Sequence, residues 1–217
     1  MRTFGWPEFL FIAEAARWTI ALSLIAFAGG AIGGLAIALA RTSQSRALQA
    51  IATVVVQVFQ GTPLLLQLFL IFFGAPVIGF DINPWVAAGV ALMLNTCAFL
   101  GEIWRGCIQA IPAGQWEAAE ALGLHYVARM RDVILPQAFK IALPPTVGYM
   151  VQVIKGTSLA AIIGFAEVTR AGQIINNATF QPLLVFGVVA AIYFALCWPL
   201  SLLAARMERR QSAALAR

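Results

Sequence analysis

Charge is scarce in this chain. Only 11% of its 217 residues are Asp, Glu, Lys or Arg, where a soluble domain carries about a quarter. Histidine occurs once, at His125, and the three cysteines, Cys97, Cys107 and Cys197, form no CxxC pair. Both facts argue against a metal centre, and the cysteine spacing argues against a disulfide framework. There is no Gly-x4-Gly-Lys-Ser/Thr phosphate loop, so the chain lacks that cradle for a nucleotide. The isoelectric point is near 9.6, but the basic residues form no run or stripe of the kind that binds nucleic acid. Residues 1–17 hold Pro7, Glu8 and Glu14 and lack a long apolar core, which is unlike a cleaved leader.

What is abundant is apolar. Hydrophobic residues make up 61% of the chain, and the mean hydropathy of +0.87 places it in the bilayer class. Crossing ~30 Å of hydrocarbon takes ~20 helical residues. Five windows qualify: 18–40, 51–73, 85–104, 141–163 and 183–205. None alternates as a barrel strand would, so the expected fold is all-α, a single polytopic domain over 1–217 with five transmembrane helices. The first window carries Gly29, Gly30, Gly33 and Gly34, two overlapping GxxxG pairs. These either admit a closely packed neighbour or are simply tolerated.

The loops set the orientation. Arg41 and Arg46 follow the first span, Arg105, Arg129, Arg131 and Lys140 lie between the third and fourth, and Arg206, Arg209, Arg210 and Arg217 follow the fifth. The opposite side holds only Arg2, Arg17 and Arg170. The positive-inside rule puts the first group in the cytoplasm. Five crossings then leave the N-terminus outside and the C-terminus inside. Residues 4–18 are expected to lie flat in the outer interface as a short amphipathic helix. The segment 164–182 is too polar to span and is expected to form a short surface helix.

The loop 105–140, expected on the cytoplasmic side, has its own pattern. Pro112-Ala113-Gly114 breaks the chain, and Gln115 to Leu122 reads as two turns of strong helix formers stopped by Gly123. A second helical piece, from Tyr126 to Leu135, is expected to end at Pro136. A short helix held between breakers, with Ala118 and Ala119 small and Glu117 and Glu120 charged, suits docking in another protein's groove. A bland interfacial helix would look similar.

These residues carry a resemblance. Glu117-Ala118-Ala119, then Gly123, Val133 and Leu135-Pro136, resemble the EAA loop of binding-protein-dependent ABC importer permeases. Gly61-Thr62-Pro63, Glu102-Ile103-Trp104-Arg105-Gly106, Ile111 to Gln115, Lys155 to Leu159 and Cys197 to Ser201 are similar to the polar amino acid uptake permeases. The likeness runs nearly the whole length. It implies a type I importer permease in the bacterial cytoplasmic (inner) membrane, not itself an enzyme. Its implied partners are cytoplasmic ATPase subunits, a second permease (identical or related) and an extracytoplasmic solute-binding protein that delivers an amino acid. No cofactor is expected in this chain, because ATP and Mg would sit on the ATPase. Gly114, Gln115, Glu117, Ala118, Ala119, Leu122 and Gly123 are the implied coupling residues.

Polar residues at membrane depth are costly and mark function. The candidates for a substrate site are Lys155, Thr157, Ser158, Asn95, Glu102, Gln60 and Gln57. Asn95 and Glu102 lie two helical turns apart on one face, and Gly156 and Gly61 mark places where helices can open. Lys155 is expected to meet a substrate carboxylate. The alternative is a Lys155–Glu102 ion pair that serves helix packing alone. Many relatives carry Asp where this chain has Gly156 and Arg where it has Gln60, which weakens the case for a basic or an acidic solute. An ion channel would not need the broken cytoplasmic loop. An intramembrane enzyme would need a His or Asp constellation in the bilayer, and a secondary transporter would show an internal repeat. None of these fits as well.

Overall fold

The computed structural model describes residues 3–215, so Arg2 and Arg217 lie outside the described residues. The described chain is helical: α1 (Trp6–Thr42), α2 (Arg46–Gly61), α3 (Leu64–Val77), α4 (Pro84–Gln109), α5 (Ala113–Ala121), α6 (Tyr126–Ala128), a π-turn (Arg129–Ile134), α7 (Leu135–Gly156), a 3₁₀ segment (Thr157–Ile163), α8 (Val168–Thr179) and α9 (Pro182–Leu215). Four stretches are long and apolar enough to cross a membrane, and the pair α2–α3, bent by 100°, makes a fifth, broken span.

The second span opens where Gly61 marks it, and there the single window 51–73 becomes two helices. Gly61-Thr62-Pro63 ends one helix and starts the next, because Pro63 removes an N–H and biases Thr62 to extended backbone (φ −117°, ψ 141°). The amide of Gln67 closes the break by donating to Phe59 O at 2.8 Å, Thr62 O at 3.1 Å and Thr62 Oγ1 at 2.9 Å.

A correction concerns the N-terminus. No separate interfacial helix exists, because α1 runs unbroken for 37 residues, ~55 Å against a ~30 Å hydrocarbon core. Pro7 sits in its first turn, and Glu8 accepts from Gly5 N–H at 3.0 Å, which starts the helix early. Ile12 and Ala15 then pack against Val168 and Ala171 of α8 and Val185 and Val189 of α9. The part of the expected membrane-surface face at Ile12 and Ala15 is covered by protein, while Leu10 stays 42% exposed.

A second correction lies at Pro136, which does not end a helix. The π-turn absorbs it: Leu135 N–H reaches back five residues to Met130 O. Pro136 then falls in the first turn of α7, where its missing N–H costs little. The 164–182 segment does form a helix, α8, although Val168, Ala171, Gly172 and Thr179 are buried.

The glycines of the first span make a close seam. A Cβ at Gly30 would fall 2.4 Å from Thr96 Cγ2 and 2.5 Å from Thr96 Cβ, and one at Gly34 would fall 3.1 Å from Gly101 N. The two helices are parallel: Trp18 meets Trp85 edge-on with centroids 5.3 Å apart at one end, and Arg41 meets Glu102 at the other. α7 returns antiparallel to α4, with Trp104 Nε1 donating to Thr146 Oγ1 at 2.8 Å. α9 runs back beside α7, so that Gln211 reaches Lys140 O at its foot. Arg41, Arg105, Lys140 and the tail of α9 therefore share one end of the bundle. Trp18, Trp85 and α8 share the other.

Candidate functional site

Where α3, α4 and α7 meet, a cavity of about 370 Å³ opens, lined by Leu64, Leu92, Asn95, Thr96, Phe99, Tyr149, Gln152 and Val153. Asn95 is its anchor. The Asn95 amide donates to Gln67 Oε1 at 3.2 Å, and its carbonyl oxygen accepts from the Tyr149 hydroxyl at 3.4 Å. Since Gln67 holds the α2–α3 break, a hydrogen-bonded chain joins that break to the cavity wall. Tyr149 is oriented from its other side by stacking on Phe99, with ring centroids 5.5 Å apart and planes 16° apart. The side chain of the exposed Gln152 makes no hydrogen bond among the described residues.

The other predicted substrate residues scatter. Lys155 is exposed, one turn beyond Gln152 on the same face of α7. Among the described residues no carboxylate forms an ion pair with it. Thr157 is fully buried and donates to Ile154 O at 2.7 Å, and Ser158 donates to Lys155 O at 2.7 Å. Gln60 is exposed and reaches Ala98 O at 3.4 Å, and Gln57 is exposed. Gly156 lies against the cavity wall: a Cβ there would meet Leu64 Cδ2 at 3.2 Å and Leu92 Cδ2 at 3.3 Å.

Glu102 lies apart from this group, two turns beyond Asn95 toward the basic end of α4. It is clamped between Arg41 and Arg105, the latter donating from Nε at 3.0 Å. Its partners are therefore arginines at the basic end, not Lys155. The Arg41 partner lies 61 residues upstream, and no local spacing betrays it.

At the same end α5 projects from the bundle. Gly114, Gln115, Glu117, Ala118, Leu122 and Gly123 are exposed, Leu122 at 79%. Ala119 is different. It is 2% exposed on a helix that packs against the chain's own π-turn, so its small side chain permits internal packing. Gly123 has φ +74°, a left-handed stop that favours glycine. The helix is braced at two points, by Gln137 Nε2 donating to Gln115 Oε1 at 3.1 Å and by Arg129 pairing with Glu120 at 3.0 Å. Trp116 packs with Ile111, Met130 and Ile134 beneath it. These contacts tie α5 to the foot of α7, whose Tyr149, Gln152 and Val153 line the cavity ~20 Å further along.

At the opposite end Glu167 is fully buried. It caps α8 by accepting from Thr169 N–H at 2.9 Å and Arg170 N–H at 2.8 Å, and it accepts from Tyr193 Oη at 2.5 Å. Burial pushes its carboxyl above the usual range. Sequence reading missed this node because a lone acid in a polar loop carries no signal of its own.

Comparison with known proteins is consistent with this geometry. The family described as "Binding-protein-dependent transport system inner membrane component" matches residues 30–213. The chain is 39% identical to an L-cystine transport system permease protein of Bacillus subtilis, across 94% of this chain and 87% of that protein. It is 38% identical to the glutamine transport system permease protein of Escherichia coli, across 94% of each. Among solved structures, an amino acid ABC transporter crystallised with histidines superposes with TM-score 0.86 at 36% identity, covering 92% of this chain and 94% of that one. An inward-facing methionine ABC transporter superposes with TM-score 0.79 at 19% identity, covering 95% and 99%, which speaks to the fold alone.

Proposed function

The chain belongs to the binding-protein-dependent transport system inner membrane components, and from that premise we propose that it imports a polar amino acid through the cavity at Asn95, Tyr149 and Gln152. It is a permease subunit of an ABC importer, a multi-pass inner membrane protein, and ATP is hydrolysed by a separate ATPase. The observation that carries the solute reading is the cavity itself. It is small, partly polar, and built from three spans around a broken helix, the kind of place where transporters bind solute.

In this reading Lys155 meets the substrate carboxylate, with Asn95, Thr157, Ser158, Gln60 and Gln57 on or near the path. Glu102 is a clamp at the inner end. Gly114, Gln115, Glu117, Ala118, Leu122 and Gly123 form the surface that enters the ATPase groove, while Ala119 supports it from behind. A second permease, identical or related, completes the pathway, and a solute-binding protein docks on the opposite face. ATP and Mg belong to the ATPase. The arginine-rich end faces the cytoplasm by the positive-inside rule, which places the N-terminus outside.

Reconstitution with the cognate ATPase and binding protein tests this. ATP inside the vesicles should drive uptake of a labelled polar amino acid, and Lys155→Met should abolish uptake while the complex still assembles. Full uptake by Lys155→Met would remove that residue from the path. Uptake of no amino acid would remove the solute reading.

A further inference from the structure

We infer that the solute is an amino acid whose side chain is uncharged and both donates and accepts hydrogen bonds, a carboxamide fitting best, and that Gln152 reads that side chain. This rests on the importer reading above and names the solute class for its cavity. The first observation is the balance of charge. The lining residues Asn95, Thr96, Tyr149 and Gln152 are polar, and no formally charged side chain is among them. On α4 the charged residue nearest the cavity, Glu102, is already held by Arg41 and Arg105. On α7 it is Lys155, one turn past Gln152.

An amino acid brings one carboxylate and one ammonium in its backbone. Lys155 can meet the carboxylate. The ammonium needs only oxygen acceptors, which Tyr149 and the Asn95 carbonyl supply. A cationic side chain would then lie near Lys155 with no carboxylate to pair with. An anionic one would need a second cation that the cavity does not hold. Either leaves an uncompensated charge at membrane depth, a penalty equivalent to about 100-fold in affinity.

The second observation separates Gln152 from its neighbours. Asn95 has its amide on Gln67, and the two lone pairs of its oxygen go to the Tyr149 hydroxyl and, in this pose, to the ammonium, which leaves nothing for the side chain. Gln67 is committed to the α2–α3 break. Gln152 is exposed at the cavity, and its side chain makes no hydrogen bond among the described residues. Its carboxamide presents one N–H edge and one oxygen, which pair with a second carboxamide through two hydrogen bonds. A site built this way discriminates strongly against a ligand that leaves those groups unpaired.

The test uses the purified permease–ATPase complex without the binding protein, so that selection by that protein does not enter. L-Glutamine, L-arginine and L-glutamate are titrated calorimetrically in nanodiscs, alongside ATP-driven uptake by the complete assembly. Glutamine should bind about 100-fold more tightly than arginine or glutamate. Gln152→Glu should narrow or invert the glutamine-to-arginine ratio, and Gln152→Leu should weaken glutamine alone. Equal binding of all three by the wild type, or an unchanged ratio in Gln152→Glu, would overturn the inference while leaving the importer intact. A complex that binds none of them yet imports an amino acid with its binding protein would also overturn it, by removing the cavity as the site. Failure of the complete assembly to import any amino acid is a different result and would defeat the underlying reading.

Discussion

Gly30→Ala and Gly33→Ala make the same chemical change one turn apart on α1, and the structure predicts different outcomes. A Cβ at Gly30 would stand 2.5 Å from Thr96 Cβ and 2.4 Å from its Cγ2. Thr96 is β-branched, and its Cβ cannot leave without moving α4. The two helices must part by about 1 Å to restore ordinary contact, which loosens the packing at Gly34 and Gly101 as well. Overpacking of this kind costs about 1–3 kcal/mol. At Gly33 the obstacle is Cys97 Sγ at 2.3 Å, while Cys97 Cβ stands at an ordinary 3.4 Å. A χ1 rotation carries the sulfur away at small cost.

Both variants gain the same ~1 kcal/mol of helix propensity from Gly→Ala, so the comparison cancels it. Gly30→Ala should melt below Gly33→Ala by a few degrees, taking about 2–4 °C per kcal/mol for a chain of this length. Purified protein in detergent, followed by intrinsic tryptophan fluorescence on heating, provides the reading. Equal melting temperatures, or Gly33→Ala as the less stable, would refute the claim that the Gly30–Thr96 contact sets the helix separation.

Other consequences follow from the same contacts. Gly123→Ala places a side chain at φ +74°, costing about 1–2 kcal/mol, and should lower the solute moved per ATP hydrolysed while the subunit still inserts. Leu122→Asp, at a 79% exposed position, should weaken ATPase association by co-purification without changing the melting temperature of the isolated permease. A double-mutant cycle of Arg41→Gln with Glu102→Gln should give a coupling of about 1 kcal/mol, read by chemical denaturation; additive effects would dissolve the clamp. Burial raises the Glu167 carboxyl, so the folded state holds its proton more tightly than the unfolded chain. Its contribution to stability is therefore greatest below the unfolded value of about 4.3 and falls as pH rises toward the folded value. Glu167→Gln should flatten that slope in melting curves taken between pH 4 and pH 7.

Much of the fold was legible because the bilayer imposes a length scale. The apolar windows located α1, α4, α7 and α9, and Gly123 marked the end of α5. The place where the second span breaks was marked by Gly61, but the 100° bend was not, since a hydropathy average runs straight across Gly61-Thr62-Pro63. The N-terminal half of α1 was misplaced for a related reason. Its apolar stripe at Ile12 and Ala15 has the same period whether lipid or α8 and α9 cover it. At the site, Asn95 announced itself as a polar residue in an apolar run. Tyr149, Gln152 and Gln67 did not, because they lie on two other helices, α7 and α3, and join the Asn95 site only after folding. Glu102 was noticed for its depth, but its pairing with Arg41 needed the parallel packing of α1 on α4.

In the proposed mechanism, force at α5 changes the side from which the cavity is open. A single cysteine at Gln152, with Cys97, Cys107 and Cys197 replaced by alanine, reports that directly when a membrane-impermeant maleimide is applied to the reconstituted importer. Without nucleotide the thiol should label from one face of the vesicle, and with ATP held unhydrolysed on the ATPase it should label from the opposite face. Labelling from the same face at the same rate in both states would contradict the account.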